Sequence, residues 1–258
     1  LLAEDDLTNQ EITQAILSKV DVELDIVNNG QEAVDAVDLK QYDAVLMDIE
    51  MPVLNGYQAT QMIRSDMRFD QLPIIGITAR ALPGDAEKAL SAGMNSYITK
   101  PINQQKLLSK LTNLLKDSPI TASEKDSVVT DLSAAPLHSN LSQMHQLIDQ
   151  EITGLNLKQA MQLAELDLAA FQAVLITHYR SNLNTINDLH DNYHQKDWKA
   201  LKQLAHRING SAAHIGATTL QKEAEQIESI CTEPMSFVPD ERMIEKFSHE
   251  LKHIKFSL

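Results

Sequence analysis

The stretch that most limits what this chain can fold into is Tyr42–Gly56, which reads YDAVLMDIEMPVLNG. Ala44 to Met47 form a continuous apolar run that is too short for a buried helix, so it reads as a strand covered on both faces, as in a parallel sheet. The run stops at Asp48, and Pro52 and the Asn55-Gly56 pair then bar a quick return to regular structure. A carboxylate at the C-terminal tip of a buried parallel strand stands where open α/β sheets keep their ligand chemistry.

The flanking sequence supplies the rest of such a sheet. Strands are expected at the apolar start up to Ala3, at 22–27, 73–78 and 96–99, with helices at about 8–19, 31–39, 56–67, 84–92 and 104–115. Alternation at this spacing implies a parallel sheet with helices on both sides, filling a domain over 1–115. Residues 116–151 are rich in Ser, Thr, Asp and Ala, contain Pro119 and Pro136, and show no sustained period. They read as a mobile linker, with some helix in 141–150, spanning on the order of 30–35 Å.

Residues 152–258 are helical in pattern. Leu168, Phe171, Leu175, Tyr179, Leu183, Ile186 and Leu189 recur at three- and four-residue steps, which predicts one long amphipathic helix. Trp198, Leu201, Ala205, Ile208, Ala212 and Ile215 predict a second, 220–230 a third, and about 240–256 a last. With a short lead-in at 157–164 this is an antiparallel four-helix bundle.

Composition removes several function classes. A net charge of −14, concentrated in residues 1–115 and the connector, argues against a general nucleic-acid or anionic-membrane surface. Cys231 is the single cysteine, which rules out an internal disulfide and leaves no thiolate metal site. No apolar run approaches the roughly 18–20 residues that cross a bilayer. The chain opens at Leu1, already inside a strand-like segment, and reads as a piece of something longer.

In an open parallel sheet every strand delivers its C-terminal end to one edge, so residues distant in sequence converge there. At those positions the chain supplies Glu4 and Asp5, Asp48, Thr78 and Lys100. Taken singly, Thr78 is a strand end, Lys100 a solvated charge and Glu4–Asp6 a helix-cap cluster. Taken together, three converging carboxylates need a divalent cation, and hard oxygen ligands suit Mg2+. A metal beside Asp48 would neutralise an incoming phosphoryl group, Thr78 and Lys100 could grip its oxygens, and Asp48 could act as nucleophile to form an acyl phosphate.

Residues 1–115 resemble the receiver domain of two-component response regulators. Glu4-Asp5-Asp6 resembles its acidic pocket, LMDIEMPVLNG its phosphoacceptor loop, IIGITA the strand ending in its hydroxyl, and YITKPI the strand ending in its Lys-Pro pair. The resemblance implies a five-stranded flavodoxin-like fold with Asp48 as acceptor. It also implies Mg2+ on Asp5, Asp48 and the Glu50 carbonyl with Glu4 nearby, a Thr78–Tyr97 switch, and a cis Lys100-Pro101 bond. The first strand is shorter here than the family's.

On the helix carrying Trp198, His206 follows core residue Ala205 by one position, about 100° round, and is expected to point out of the bundle. Its own face holds Lys202, Gln203, Asn209 and Gly210, with Ala213 a turn further. Glycine inside a helix costs about 1 kcal/mol relative to Ala, so Gly210 asks for a reason; a bare shelf beside an exposed imidazole would admit another protein's active site. Neutral histidine is a good phosphoryl nucleophile. AHRINGSAAHIGA resembles the signature of histidine phosphotransfer (HPt) domains, with His206 as the phosphorylated residue and Asn209 where the family has Lys. His214 reads as a surface residue.

Together these resemblances imply the tail of a bacterial hybrid sensor histidine kinase. Asp48 would take a phosphoryl group from an upstream kinase histidine on its dimerisation domain, His206 would take it from Asp48, and a separate response regulator would receive it. The ATP-binding glycine motifs of a kinase core are absent from the chain. The location implied is cytoplasmic, as the inner tail of a membrane sensor. One alternative is a non-catalytic interaction module, which Asn209 favours. Another is a Mg2+-dependent phosphatase, which would want an Asp two residues after Asp48 where Glu50 stands.

Overall fold

The computed structural model describes residues 1–79, 85–117, 155–232 and 238–257. Of the expected linker 116–151, Lys116 and Asp117 are instead the last turn of the helix Gln104–Asp117, and the rest up to 151, including the helix expected at 141–150, lies outside them.

The first domain runs β1 (Leu2–Ala3), α1 (Leu7–Leu17), β2 (Ile26–Val27), α2 (Gly30–Leu39), β3 (Val45–Asp48), α3 (Gly56–Arg64), β4 (Ile74–Thr78), α4 (Asp85–Ser91), β5 (Ser96–Thr99) and α5 (Gln104–Asp117). The five strands are all parallel in the order β2-β1-β3-β4-β5. This is the flavodoxin-like arrangement, whose order reverses between β1 and β3. Each inner strand is buried throughout at Val45–Met47 and Ile74–Ile77, which is why those runs are apolar without alternation.

Local signals fix the helix starts. Asp6 caps α1, Asn29 caps α2, and Asn55 with Gln58 forms a reciprocal capping box at α3. Two strands are shorter than their patterns. β1 has two residues, so β2 can ladder only at Ile26 and Val27, and Val22–Asp25 stays irregular. α3 ends at Arg64, and a 3-10 turn at Met67–Phe69 follows.

The second domain contains α6 (Leu157–Ala164), α7 (Leu168–Ser181), α8 (Thr185–His194), α9 (Trp198–His214), α10 (Thr218–Thr232) and α11 (Glu241–Ser257). The four-helix bundle is present, but its first arm is two helices, not one. Asn182 makes the break: its amide donates to His178 O at 2.9 Å and accepts from Thr185 Oγ1 at 3.0 Å, competing with the helix ladder. The apolar spacing continues across the break, so periodicity could not reveal it. Phe171, Val174, Leu189, Leu201, Ile208, Ala224, Ile227, Ile244 and Phe247 fill the bundle.

The two domains pack on each other, with α7 and α9 against α1. Small polar residues on the outer face of α1, Thr8, Asn9 and Thr13, are therefore buried along with Ile12 and Ile16, which are part of the hydrophobic core. At the other end of this contact, Gln104 and Gln105 donate to the Glu165 carboxylate at 3.1 and 2.7 Å. Among the described residues no single helix is long and apolar enough to cross a membrane.

Candidate functional site

The register of β1 on β3, Ala3 opposite Met47, sets Glu4 beside Asp48. Carboxylate oxygens of Glu4, Asp5 and Asp48 all lie within 4.8 Å of one another. Lys100 directly follows β5 and precedes the cis Lys100-Pro101 bond that the resemblance implied, and its side chain crosses the end of β4. Its ammonium stands 2.7 Å from Asp48 Oδ2 and 2.8 Å from Glu4 Oε2. α3 begins hard against this loop: a Cβ on Gly56 would lie 2.2 Å from the Asp48 carbonyl oxygen, so only glycine fits.

Removing these carboxylates from water disfavours their charge, and they also repel one another. Burial first, then Asp48, raises the Glu4 pKa to about 7, against the opposing pull of Lys100 and Asn9. Burial first, then Glu4, raises Asp5 and Asp6 to about 6. Burial works against the Lys100 ammonium, but Asp48 and Glu4 outweigh it and its pKa is raised.

A hard divalent cation fits this donor set. Although Lys100 Nζ is close to Glu4 Oε2, no hydrogen-bond donor is aligned on that buried oxygen. Three carboxylates thus share one ammonium. Thr78 sits half-buried at the end of β4, and its carbonyl accepts the Lys100 N–H at 2.7 Å. Tyr97 is half-buried on β5 opposite Gly76.

His206 is brought to this edge from the other domain. The exposed position expected for it does not hold: at 8% accessibility it is buried between a bundle carboxylate and the first domain. Its Nδ1 is 3.0 Å from Glu228 Oε1 and 3.5 Å from Glu50 Oε2. Burial disfavours its charged form, yet the Glu228 hydrogen bond and the charges of Glu50, Asp48 and Glu228 outweigh burial, and its pKa is raised.

The expected docking face is where the domains meet. Gly210 is seated on the acidic pocket: a Cβ there would come within 3.3 Å of Asn9 Nδ2 and 3.4 Å of Lys100 Cδ. Lys202 approaches Glu50 at 3.8 Å, Ala213 is half-buried, and Gln203 is exposed. Asn209 does not face a phosphoryl position; it is buried and donates to Glu228 Oε2 at 3.1 Å. A cleft of about 620 Å3 remains beside His206, lined among others by Asp5, Glu50, Tyr57, Lys202, Gln203 and Arg207.

His214 is not a surface residue. Its Nε2 accepts the Ile102 N–H of the first domain at 2.8 Å, and its Nδ1 donates to Gly210 O at 3.0 Å. Burial first, then the Lys100 charge, lowers its pKa to about 3. Burial alone lowers His178 to about 4, where it faces Thr8 Oγ1 at 3.5 Å. Sequence reasoning missed Glu228. The available signal was a charged residue one step past Ile227 and four past Ala224, in the buried stripe of α10.

Residues 1–112 match the response regulator receiver domain family and residues 171–255 the Hpt domain family. Over 237 residues the chain is 30% identical to the sensor protein GacS of Pseudomonas syringae, covering 89% of this chain and 24% of that one. Over 228 residues it is 24% identical to the histidine-protein kinase BarA of Escherichia coli, covering 88% and 23%. The chain therefore spans about a quarter of the length of these relatives. Two-component response regulator 24 of Arabidopsis thaliana is 40% identical over 115 residues, 44% of this chain and 81% of that protein. Among solved structures, the receiver domain of a sensor histidine kinase from Pseudomonas aeruginosa is 40% identical with a TM-score of 0.43, covering 45% of this chain and 94% of that one. That domain holds a magnesium ion coordinated in its active-site cleft. With an acidic pocket at one sheet edge and a bundle histidine against it, this chain belongs to the two-component signalling proteins, joining a response regulator receiver domain to an Hpt domain of the kind carried by hybrid sensor histidine kinases.

Proposed function

We propose that this chain is a consecutive pair of relay stages, with Asp48 handing its phosphoryl group to His206 of the same molecule. The receiver would occupy residues 1–115 and the phosphotransfer domain 152–258, joined by 116–151. The observation that carries the reading is that His206 lies buried against the receiver's acidic pocket, 3.5 Å from Glu50 and within the field of Asp48.

In the first step an Asp48 oxygen attacks the phosphorus of a phosphohistidine on an upstream kinase dimerisation domain. The P–N bond breaks and an acyl phosphate forms. Lys100 and the Thr78 hydroxyl hold two of its oxygens. Magnesium, held by Asp5, Asp48 and the Glu50 carbonyl with Glu4 nearby, would offset the charge of the incoming group. Phosphorylation would be read out through Thr78 and Tyr97. In the second step His206 attacks the acyl phosphate and the electron pair of the breaking P–O bond returns to Asp48. A separate response regulator then docks on the face holding Lys202, Gln203, Asn209, Gly210 and Ala213 and takes the group from His206. The pair would work in the cytoplasm as the tail of a longer sensor kinase.

The test is labelling by a hybrid-kinase core with labelled ATP and Mg2+, using intact chain, Asp48→Ala and His206→Ala. Alkali-stable, acid-labile label that needs both residues is the expected result. Label that stays as alkali-labile acyl phosphate on Asp48 would refute the relay.

A further inference from the structure

Three side chains able to ligate a metal meet at the seam between the domains, beside the acidic pocket but sharing none of its side chains. His206 of α9 and Glu228 of α10 come from the bundle, and Glu50 comes from the loop after β3. His206 Nδ1 lies 3.0 Å from Glu228 Oε1 and 3.5 Å from Glu50 Oε2, and one ligand atom of each residue lies within 4.8 Å of the others. A tetrahedral ion bonded at about 2.0–2.1 Å holds its ligand atoms about 3.3–3.4 Å apart, so the two distances to the ring bracket that spacing. Glu50 is exposed and can swing to close the third edge. Two further observations point to an ion. Asn209 Nδ2 donates to Glu228 Oε2 at 3.1 Å, which leaves Oε1 turned to the ring, as a group behind a metal ligand orients it. The cleft of about 620 Å3 is lined by both His206 and Glu50, so water can complete a coordination shell. The imidazole separates this set from Glu4, Asp5 and Asp48, whose ligands are all oxygen: nitrogen with two carboxylates suits Zn2+ and its neighbours better than Mg2+.

We propose that Glu50, His206 and Glu228 form an interdomain site for a borderline divalent ion of the Zn2+ class, which ties the receiver to the bundle and takes His206 out of use as a nucleophile. The binding itself is independent of the relay reading above; only the arrest of hand-over rests on it. The ion takes the Nδ1 lone pair, and any proton there is released to water. The remaining ring hydrogen is then on Nε2, so neither nitrogen keeps a lone pair with which to attack phosphorus. One carboxylate comes from each domain, so the ion binds the docked state more tightly than the open one and draws molecules into it. Lys202 Nζ, 3.8 Å from Glu50 Oε2, is a rival cation at this seam.

Co2+ is the probe, titrated into the full chain with excess Mg2+ present to fill the acidic pocket. Wild type should show the visible absorption of a Co2+ ion with few ligands, displaced by an equivalent of Zn2+. Glu50→Gln, His206→Gln and Glu228→Gln should each weaken Co2+ binding by about tenfold or more. Asp5→Asn should leave the signal in place, and Lys202→Gln should tighten binding several-fold. Zn2+ should raise hydrogen-exchange protection of the Ile102 amide, which bonds His214 across the seam, in wild type and not in Glu50→Gln. Should Glu228→Gln fail to fold, Glu50→Gln carries the test, because its side chain is exposed. Unchanged Co2+ affinity in Glu50→Gln and His206→Gln, or a signal lost only in Asp5→Asn, would overturn the proposal. Loss in His206→Gln with full binding in Glu50→Gln would mean an ion held by the bundle alone, and would overturn the bridge. In the labelling assay Zn2+ should slow transfer from Asp48 to His206 in wild type and spare it in Glu50→Gln. If wild type never moves label to His206, the relay reading fails, and the Co2+ spectrum still decides whether the site exists.

Discussion

The contact between His214 and Ile102 makes docking of the two domains sensitive to acid. In the docked state His214 Nε2 accepts a backbone N–H and Nδ1 donates, so the ring is neutral, and its pKa is lowered from 6.5 to about 3. Once the domains separate, the ring faces water on α9 and titrates near its ordinary value. A base whose pKa is depressed by docking binds fewer protons docked than undocked between the two values. Its contribution to docking is therefore complete above about pH 6.5 and declines as the pH falls below that. Between pH 7.5 and pH 5.5 one plus the protonated-to-neutral ratio of the undocked ring grows about tenfold, which is about 1.4 kcal/mol in the docking equilibrium. Other groups titrate over the same range, including His178 in the same direction and His206 in the opposite one. The His214→Gln variant isolates the effect, since glutamine can still accept from Ile102 and does not titrate. Hydrogen exchange at the Ile102 amide, corrected for its intrinsic rate, reports opening of this contact. Protection should fall by about 1.4 kcal/mol more in wild type than in His214→Gln over that range. Equal pH slopes in the two proteins would refute the argument.

Three further variants test the packing. Gly210→Val should leave the bundle folded but cut transfer from Asp48 by about tenfold or more, because its side chain occupies the space of Asn9 and Lys100; stopped-flow phosphotransfer alongside thermal unfolding checks both halves. Lys100→Met removes the ammonium from two buried carboxylates and should destabilise the metal-free receiver by about 3 kcal/mol in urea. In the same variant Mg2+ should bind more tightly by calorimetry, since a competing cation is gone. Phe247→Ala empties a wholly buried position of α11 and should cost about 3–5 kcal/mol of bundle stability in denaturant titration, with the receiver transition unmoved.

The acidic edge was legible because its members stand at the ends of short apolar runs. Asp48 and Thr78 each close a strand and Lys100 directly follows one, and one edge of a parallel sheet collects them whatever lies between. Gly210 was legible as a glycine with a purpose, though not as a seat for Lys100. What stayed hidden depended on the second domain lying against the first. Nothing along α9 distinguishes His214 from a solvated residue until Ile102 is brought to it. Glu228 reads as one acid among many until His206 and Asn209 converge on it. The break at Asn182 escaped because a side chain that steals a helix hydrogen bond need not disturb the apolar period.

His206 lies at 8% accessibility beneath its own receiver, and in the proposed relay this would impose a queue. An outside regulator meets the histidine only in the fraction of molecules that are momentarily open, and its apparent affinity is reduced by that fraction. A pair docked about 99% of the time would look roughly a hundredfold weaker to its customer than the bare bundle does. In the proposed relay the same closure would also shield Asp48 from an upstream kinase. Under that proposal loading, internal hand-over and delivery would exclude one another in time, and throughput would be set by how often the two halves let go.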